Sequence, residues 1–209
     1  MSLTKQQIKQ LNTIFNVATL LGAEYAENKS IIGITLLPII LDTNGKIPAD
    51  PRISVIFLNV SRVIASLRRG AWNDQEAEIK KFNISDLLKV VQSFGGGAIY
   101  GSNFIDNNKD NFNWWSKNPS FDLINENMKE SKHTMDLFQE EGRNRHLDVK
   151  IWFDDLKIFN ANKREVAIED LFEAGKRAWD GISRGDEEAG KFGIMPLDKF
   201  DSKNFEDRF

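Results

Sequence analysis

The chain contains no cysteine, which removes disulfides, thiolate metal sites and cysteine nucleophiles together. A cysteine-free chain fits a reducing compartment, and the cytoplasm is the location expected. Histidine is scarce as well, with only His133 and His146, so imidazole-based metal sites and proton relays have few components to draw on. A basic excess is also missing, since 28 Lys and Arg stand against 31 Asp and Glu. Nucleic-acid binders usually carry a basic face. Here the one basic knot, Arg62, Arg68 and Arg69, is diluted at once by Asp74, Glu76 and Glu78, so no nucleic-acid partner is expected. No window approaches the 18 or so apolar residues that would span a membrane. Lys5 and Lys9 lead into a polar-interrupted pattern rather than the apolar stretch of a signal peptide. No membrane association is expected.

What is present is ample material for a core. The 209 residues are 41% hydrophobic and include 15 Phe and 5 Trp, and a chain of this length buries roughly 70% of its unfolded surface. The expected organisation is a single α+β domain over residues 1–197 with a mobile tail at 198–209. Thr4 and Gln7 stand at capping-box spacing. Ile8, Leu11, Phe15, Ala18, Leu21 and Tyr25 then recur every three to four residues, which predicts a long N-terminal helix over residues 4–27. Residues 31–41 form an apolar run interrupted by Pro38, which cannot donate to a ladder and so predicts an edge strand or a bulge. Residues 53–67 read as one long strand whose alternation slips near Asn59, a second bulge signal.

Further along, a short strand is expected at 77–82 and a helix from 86 to about 94, capped by Ser85 and ended by Gly95-Gly96-Gly97. Strands are expected at 98–105, 132–139, 147–153 and 156–159, and a second amphipathic helix over 168–182 closed by Gly185. Because strands come in runs rather than alternating singly with helices, the fold class is a mainly antiparallel sheet system with one or two further helices packed on it. The sequence also echoes itself. Ile53, Val55, Ile56, Phe57, Asn59 and Val60 align with Val149, Ile151, Trp152, Phe153, Asp155 and Leu156, and a helix opening follows each, at Ile84 and Ile168. This suggests a strand–strand–helix unit used twice.

Several motifs tempt and fail on context. Gly95-Gly96-Gly97 follows a helix and opens a strand, the reverse of a phosphate loop. Asp106, Asn108 and Asp110 occupy calcium-loop positions, but the twelfth position is Lys117 instead of a bidentate Glu. His133 and His146 have no metal-partner spacing and are expected to be ordinary strand or surface residues. Adjacent acids such as Glu140-Glu141, Asp154-Asp155 and Glu169-Asp170 diverge on strand or helix. No catalytic residue, metal site or cofactor is expected. The most suggestive site is Trp114-Trp115 among Asn111, Asn113 and other asparagines, because exposed indole faces stack on ligands and anchor interfaces. Trp72 is a second candidate.

The leading expectation is a non-catalytic module with a protein partner. One alternative is a small-ligand or carbohydrate binder using the loop 103–118, and another is a hydrolase whose acids meet only in space. Self-association as a homodimer, through the first helix or the strand marked by Pro38, is the commonest symmetric assembly.

Overall fold

The computed structural model describes residues 3–26, 30–71, 73–99, 104–106, 114–128, 131–142 and 144–194, with the side chains of Trp114 and Trp115 excepted. The chain opens as read: Thr4 Oγ1 accepts from the Gln7 amide at 3.2 Å and the Thr4 amide donates to Gln7 Oε1 at 3.1 Å. This capping box starts helix α1, Lys5–Phe15. The helix is shorter than its apolar spacing implied. Val17 adopts φ 56, and the chain reverses into strand β1, Thr19–Ala26. The reason is a β-bulge between Leu20 and Gly22. It inserts a residue between the buried pair Ala18 and Leu20 and the next buried side chain, Ala23. Two-residue alternation broken by a bulge then imitates a three-to-four-residue period.

Strand β2, Ile31–Leu37, pairs with β1 on one side and with β3, Ile53–Leu58, on the other. It is therefore interior, not an edge. Pro38 lies just past its end, where the missing N–H breaks no ladder bond. The chain next forms β4, Arg62–Arg69, and β5, Glu78–Lys80. A 3-10 turn at Ile84–Asp86 leads into α2, Leu87–Gln92, without the expected side-chain cap. Gly95 and Gly96 end this helix at φ 68 and 80, left-handed values that suit glycine. Beyond it, Ala98 forms only an isolated bridge to Thr19, and β6 is just Ile105–Asp106. Strand β7, Phe121–Ile124, has no counterpart in the sequence reading, whereas the later strands fall close to where expected: β8, His133–Glu141; β9, Arg145–Phe153; and β10, Asp155–Asn160. Helix α3, Ile168–Arg184, ends at Gly185 and is followed by α4, Glu187–Gly190. The tail 198–209 lies outside the described residues.

Every described pairing is antiparallel. One sheet has the order β1-β2-β3-β10 and the other β5-β4-β9-β8-β6. Strand β9 lines one whole side of β4, so β5 and β7 share its other edge, β7 opposite residues 62–65 and β5 opposite 67–69. Strands β3 and β4 are two halves of one bent strand that leaves the first sheet for the second. Strands β9 and β10 make the opposite passage, and the two bent strands pair along both halves. Between the Leu58–Asp155 and Arg62–Trp152 pairs, one strand holds an extra residue, and Asn59 absorbs it at φ 54. The bulge read from the sequence is there.

The echo in the sequence has a counterpart in topology. β2-β3-β4 and β8-β9-β10 are each a hairpin in one sheet that sends its third strand into the other. Phe57 and Phe153, aligned in the echo, touch each other at 4.8 Å between ring centroids. Mutual contact of equivalent residues is what a pseudo-twofold axis between the units requires. One apolar cluster spans both sheets, joining Val55 and Phe57 to Val63, Val149 and Ile151, with Leu11 and Phe15 of α1, Leu87 of α2 and Leu171 of α3 against it.

Asn59→Val puts a β-branched residue at a positive φ and should lower stability by about 1–3 kcal/mol, whereas Asn59→Gly should change it by less than about 1 kcal/mol. Urea unfolding of the two variants checks this; equal midpoints would show that the bulge does not depend on that backbone angle.

Candidate functional site on the charged face of the second sheet

Alternation assigns each residue of the second sheet to a face. Val63, Ala65, Leu67, Leu147, Val149, Ile151, Met135 and Leu137 enter the shared core. The opposite face carries Arg62, Ile64, Ser66 and Arg68 on β4, Trp152, Lys150, Asp148 and His146 on β9, and Thr134, Asp136 and Phe138 on β8. A face turned from the core of an antiparallel sheet is ordinarily solvated. This one is not: Arg68 and Lys150 are each 2% exposed and His146 is 1% exposed.

Buried charge has to be compensated, and the register supplies the means. Arg68 Nη2 donates to Asp148 Oδ2, and Lys150 Nζ donates to Asp136 Oδ2 at 2.9 Å. Toward the edge, Arg62 grips Asp122 through two bonds of 2.8 and 2.6 Å. Its guanidinium lies 5.1 Å from the ring centroid of Trp152, which Lys150 Nζ also faces at 5.6 Å. His146 stacks on Phe138 at 5.8 Å, and its Nε2 lies 2.9 Å from the Gly70 carbonyl oxygen. A carbonyl only accepts, so Nε2 carries the proton. Burial pushes the Asp148 and Asp136 carboxyls above their ordinary value; Arg68 and Lys150 respectively pull them back, and Asp106 adds to the rise at Asp136.

The buried carboxylate of Asp148 and the partly exposed one of Asp136 are each held by a cation. The Ser66 hydroxyl, fully buried, makes no hydrogen bond to any base, and Asp136 Oδ1 likewise has no hydrogen-bond partner. Among the described residues no three His, Asp or Glu side chains gather in a metal-binding group.

Of the residues singled out from sequence, Trp114 and Trp115 open a 3-10 turn, Trp114–Lys117, whose backbone packs beside β4. Of the expected loop, this backbone segment is described next to β4. Asn111, Asn113 and Trp72 lie outside the described residues, as do positions 107–113 of the calcium-like stretch. The histidines are buried strand residues on opposite faces of the sheet, and His133 Nε2 accepts from the Leu3 amide at 3.1 Å. Glu140 and Glu141 end β8, Glu169 and Asp170 open α3, and Asp154 Oδ1 accepts from the Lys132 amide at 3.2 Å. Gly97 offers its carbonyl to the Leu20 amide and to Gln139 Nε2, both at 3.1 Å, a joint between elements rather than an anion cradle.

The sequence reading missed Arg68, Asp148, Lys150, Asp136 and Trp152 as a group. The signal was present in β9, where His146, Asp148 and Lys150 alternate strictly with Leu147, Val149 and Ile151. Alternation alone marks such a face as solvated; only the tertiary fold buries it.

Asp148→Leu strips Arg68 of its carboxylate and should cost about 3–5 kcal/mol, while Arg68→Met/Asp148→Leu should be near neutral or stabilising. Chemical denaturation of the two variants and of Arg68→Met completes the cycle, and additive losses would show that the pair is not coupled. A second expectation concerns pH. A carboxyl raised by folding binds its proton more tightly in the native state, so its contribution to stability is greatest at low pH and declines as pH rises past the ordinary Asp value near 4. Asp136→Asn should remove part of that decline, measured as the slope of unfolding free energy against pH between about 4 and 6. An unchanged slope would mean that Asp136 is not raised.

Comparison of the chain with protein-family models, with curated proteins and with solved structures gives no match, so any function must be argued from the side chains themselves.

Proposed function

We propose that the chain is a non-catalytic module that binds a protein partner at the β7 edge of the second sheet. The supporting observation is one cross-strand row, Ile124–Arg62–Trp152–Thr134, formed by direct pairing of β7, β4, β9 and β8. It grades from solvent to interior: Ile124 is 59% exposed, the Arg62 side chain 27%, and Trp152 only 6%. Ile124 is the exposed large hydrophobic residue among those described.

A single exposed isoleucine carries little weight, because isolated apolar groups are common on protein surfaces. The setting gives it weight. Arg62 is already immobilised between Asp122 and the Trp152 ring, so an incoming protein would not have to order it. Arginine, tryptophan and a neighbouring apolar anchor are the chemistry of interface hot spots. Strand β7 is short, and β4 is its one partner among the described strands. It follows the Trp114–Lys117 turn after three residues, which supports including the aromatic loop read from the sequence in the proposed interface. The absence of reactive geometry around Ser66 and the paired carboxylates favours recognition over hydrolysis. No helix among the described residues is long and apolar enough to cross a membrane; a cytoplasmic setting is part of this proposal.

The test is affinity capture with the wild-type chain, Ile124→Asp and Arg62→Ala, followed by titration calorimetry with the captured protein. One stoichiometric partner should be retained by wild type, lost with Ile124→Asp and weakened at least tenfold by Arg62→Ala. The Ile124→Asp unfolding free energy should stay within about 0.5 kcal/mol of wild type, as for an exposed site. A partner that binds all three proteins alike, or no stoichiometric partner at all, would contradict the proposal.

A further inference from the structure

A groove of about 500 Å³ lies where the starts of α1 and α3 meet the outer side of β10. Its apolar lining comes from Leu156, Ile158, Val166 and Ile168, and its size is that of a small-molecule site. An open strand edge would ordinarily invite a peptide to add as a further strand, but this edge is already blocked. The Val166 amide donates to the Ile158 carbonyl and the Asn160 amide to the Arg164 carbonyl, both at 2.9 Å. Asp155 Oδ1 accepts from the Leu156 amide, also at 2.9 Å. The groove therefore offers side chains rather than a ladder, which suits a small ligand better than a strand.

Charge then selects the kind of ligand. Glu165 and Glu169 line the groove, and Lys157 is the lysine or arginine among its described lining residues. Lys157 Nζ is engaged by Glu165 Oε2 at 3.0 Å. Glu169 Oε1 is touched by Gln7 Nε2 at 3.2 Å, a neutral donor that leaves the carboxylate charge in place. The first turn of α3 has no side-chain cap, but its own Glu169 and Asp170 already answer the positive end of the helix. An anionic ligand would meet the Glu169 carboxylate, whereas an ammonium group would be drawn to it. We infer that this groove binds a small amphipathic cation, an apolar body carrying one protonated amine.

Titration calorimetry of the full chain with octylammonium, 1-octanol and octanoate, at neutral pH and low salt, tests this. Octylammonium should bind at millimolar concentration or better, octanol several-fold more weakly, and octanoate not at all. Glu165→Gln/Glu169→Gln, altering two exposed side chains, should weaken octylammonium by roughly three- to tenfold and leave octanol unchanged. Ile168→Trp, which fills the groove, should abolish both. Equal binding of the three probes, no binding of octylammonium, or an ammonium affinity indifferent to the double variant would each overturn the inference.

Discussion

Phe57 and Phe153 meet where two bent strands cross from one sheet to the other, and the rest of the fold depends on that crossing. β3 continues into β4 and β9 into β10, each passing between sheets in the opposite direction, while the two remain hydrogen-bonded to each other on both sides of the bend. Neither sheet can be removed without breaking the strand that founds the other. The bend needs one residue more on one strand than on its partner, and Asn59 provides it in a left-handed conformation that Asn tolerates better than most residues.

The crossing also decides what each face of the second sheet becomes. One face is committed to the core it shares with the first sheet and the helices. The other could have been a solvated surface, yet it holds Arg68, Lys150 and His146 out of water. Replacing such pairs with apolar groups is often neutral or favourable, so their presence is not evidence of added stability. Around them, Arg62 and Trp152 are fixed in place close to the β7 edge. A polar face whose buried charges are paired and which reaches solvent at one margin is the basis of the proposed interface.

The parts of this arrangement legible in the sequence are those that local chemistry dictates. The Thr4–Gln7 cap, the Gly95–Gly96 and Gly185 helix ends, the strands β8 to β10 and the amphipathic α3 each carry their own signal within a few residues. The bulge at Asn59 showed itself as a slip in alternation. The long N-terminal helix was misread because the bulge after Leu20 gave β1 a helical spacing, and β2 was misplaced at an edge because Pro38 sits just beyond its last ladder bond. The charged face was hidden for a different reason. Whether alternating charges lie in water or under protein is decided by neighbours distant in sequence, as Ser66 opposite Asp148 and Asp136 opposite Lys150 show.

Native-state hydrogen exchange tests the claim that the bent strands make both sheets one cooperative unit. The ladder amides of Val55 and Phe57 in the first sheet and of Val63, Val149 and Ile151 in the second should exchange through a single opening, with a free energy equal to that of global unfolding. If the amides of one sheet exchanged through a separate opening of lower free energy while the other sheet stayed protected, the sheets would be independent units and the account would be wrong.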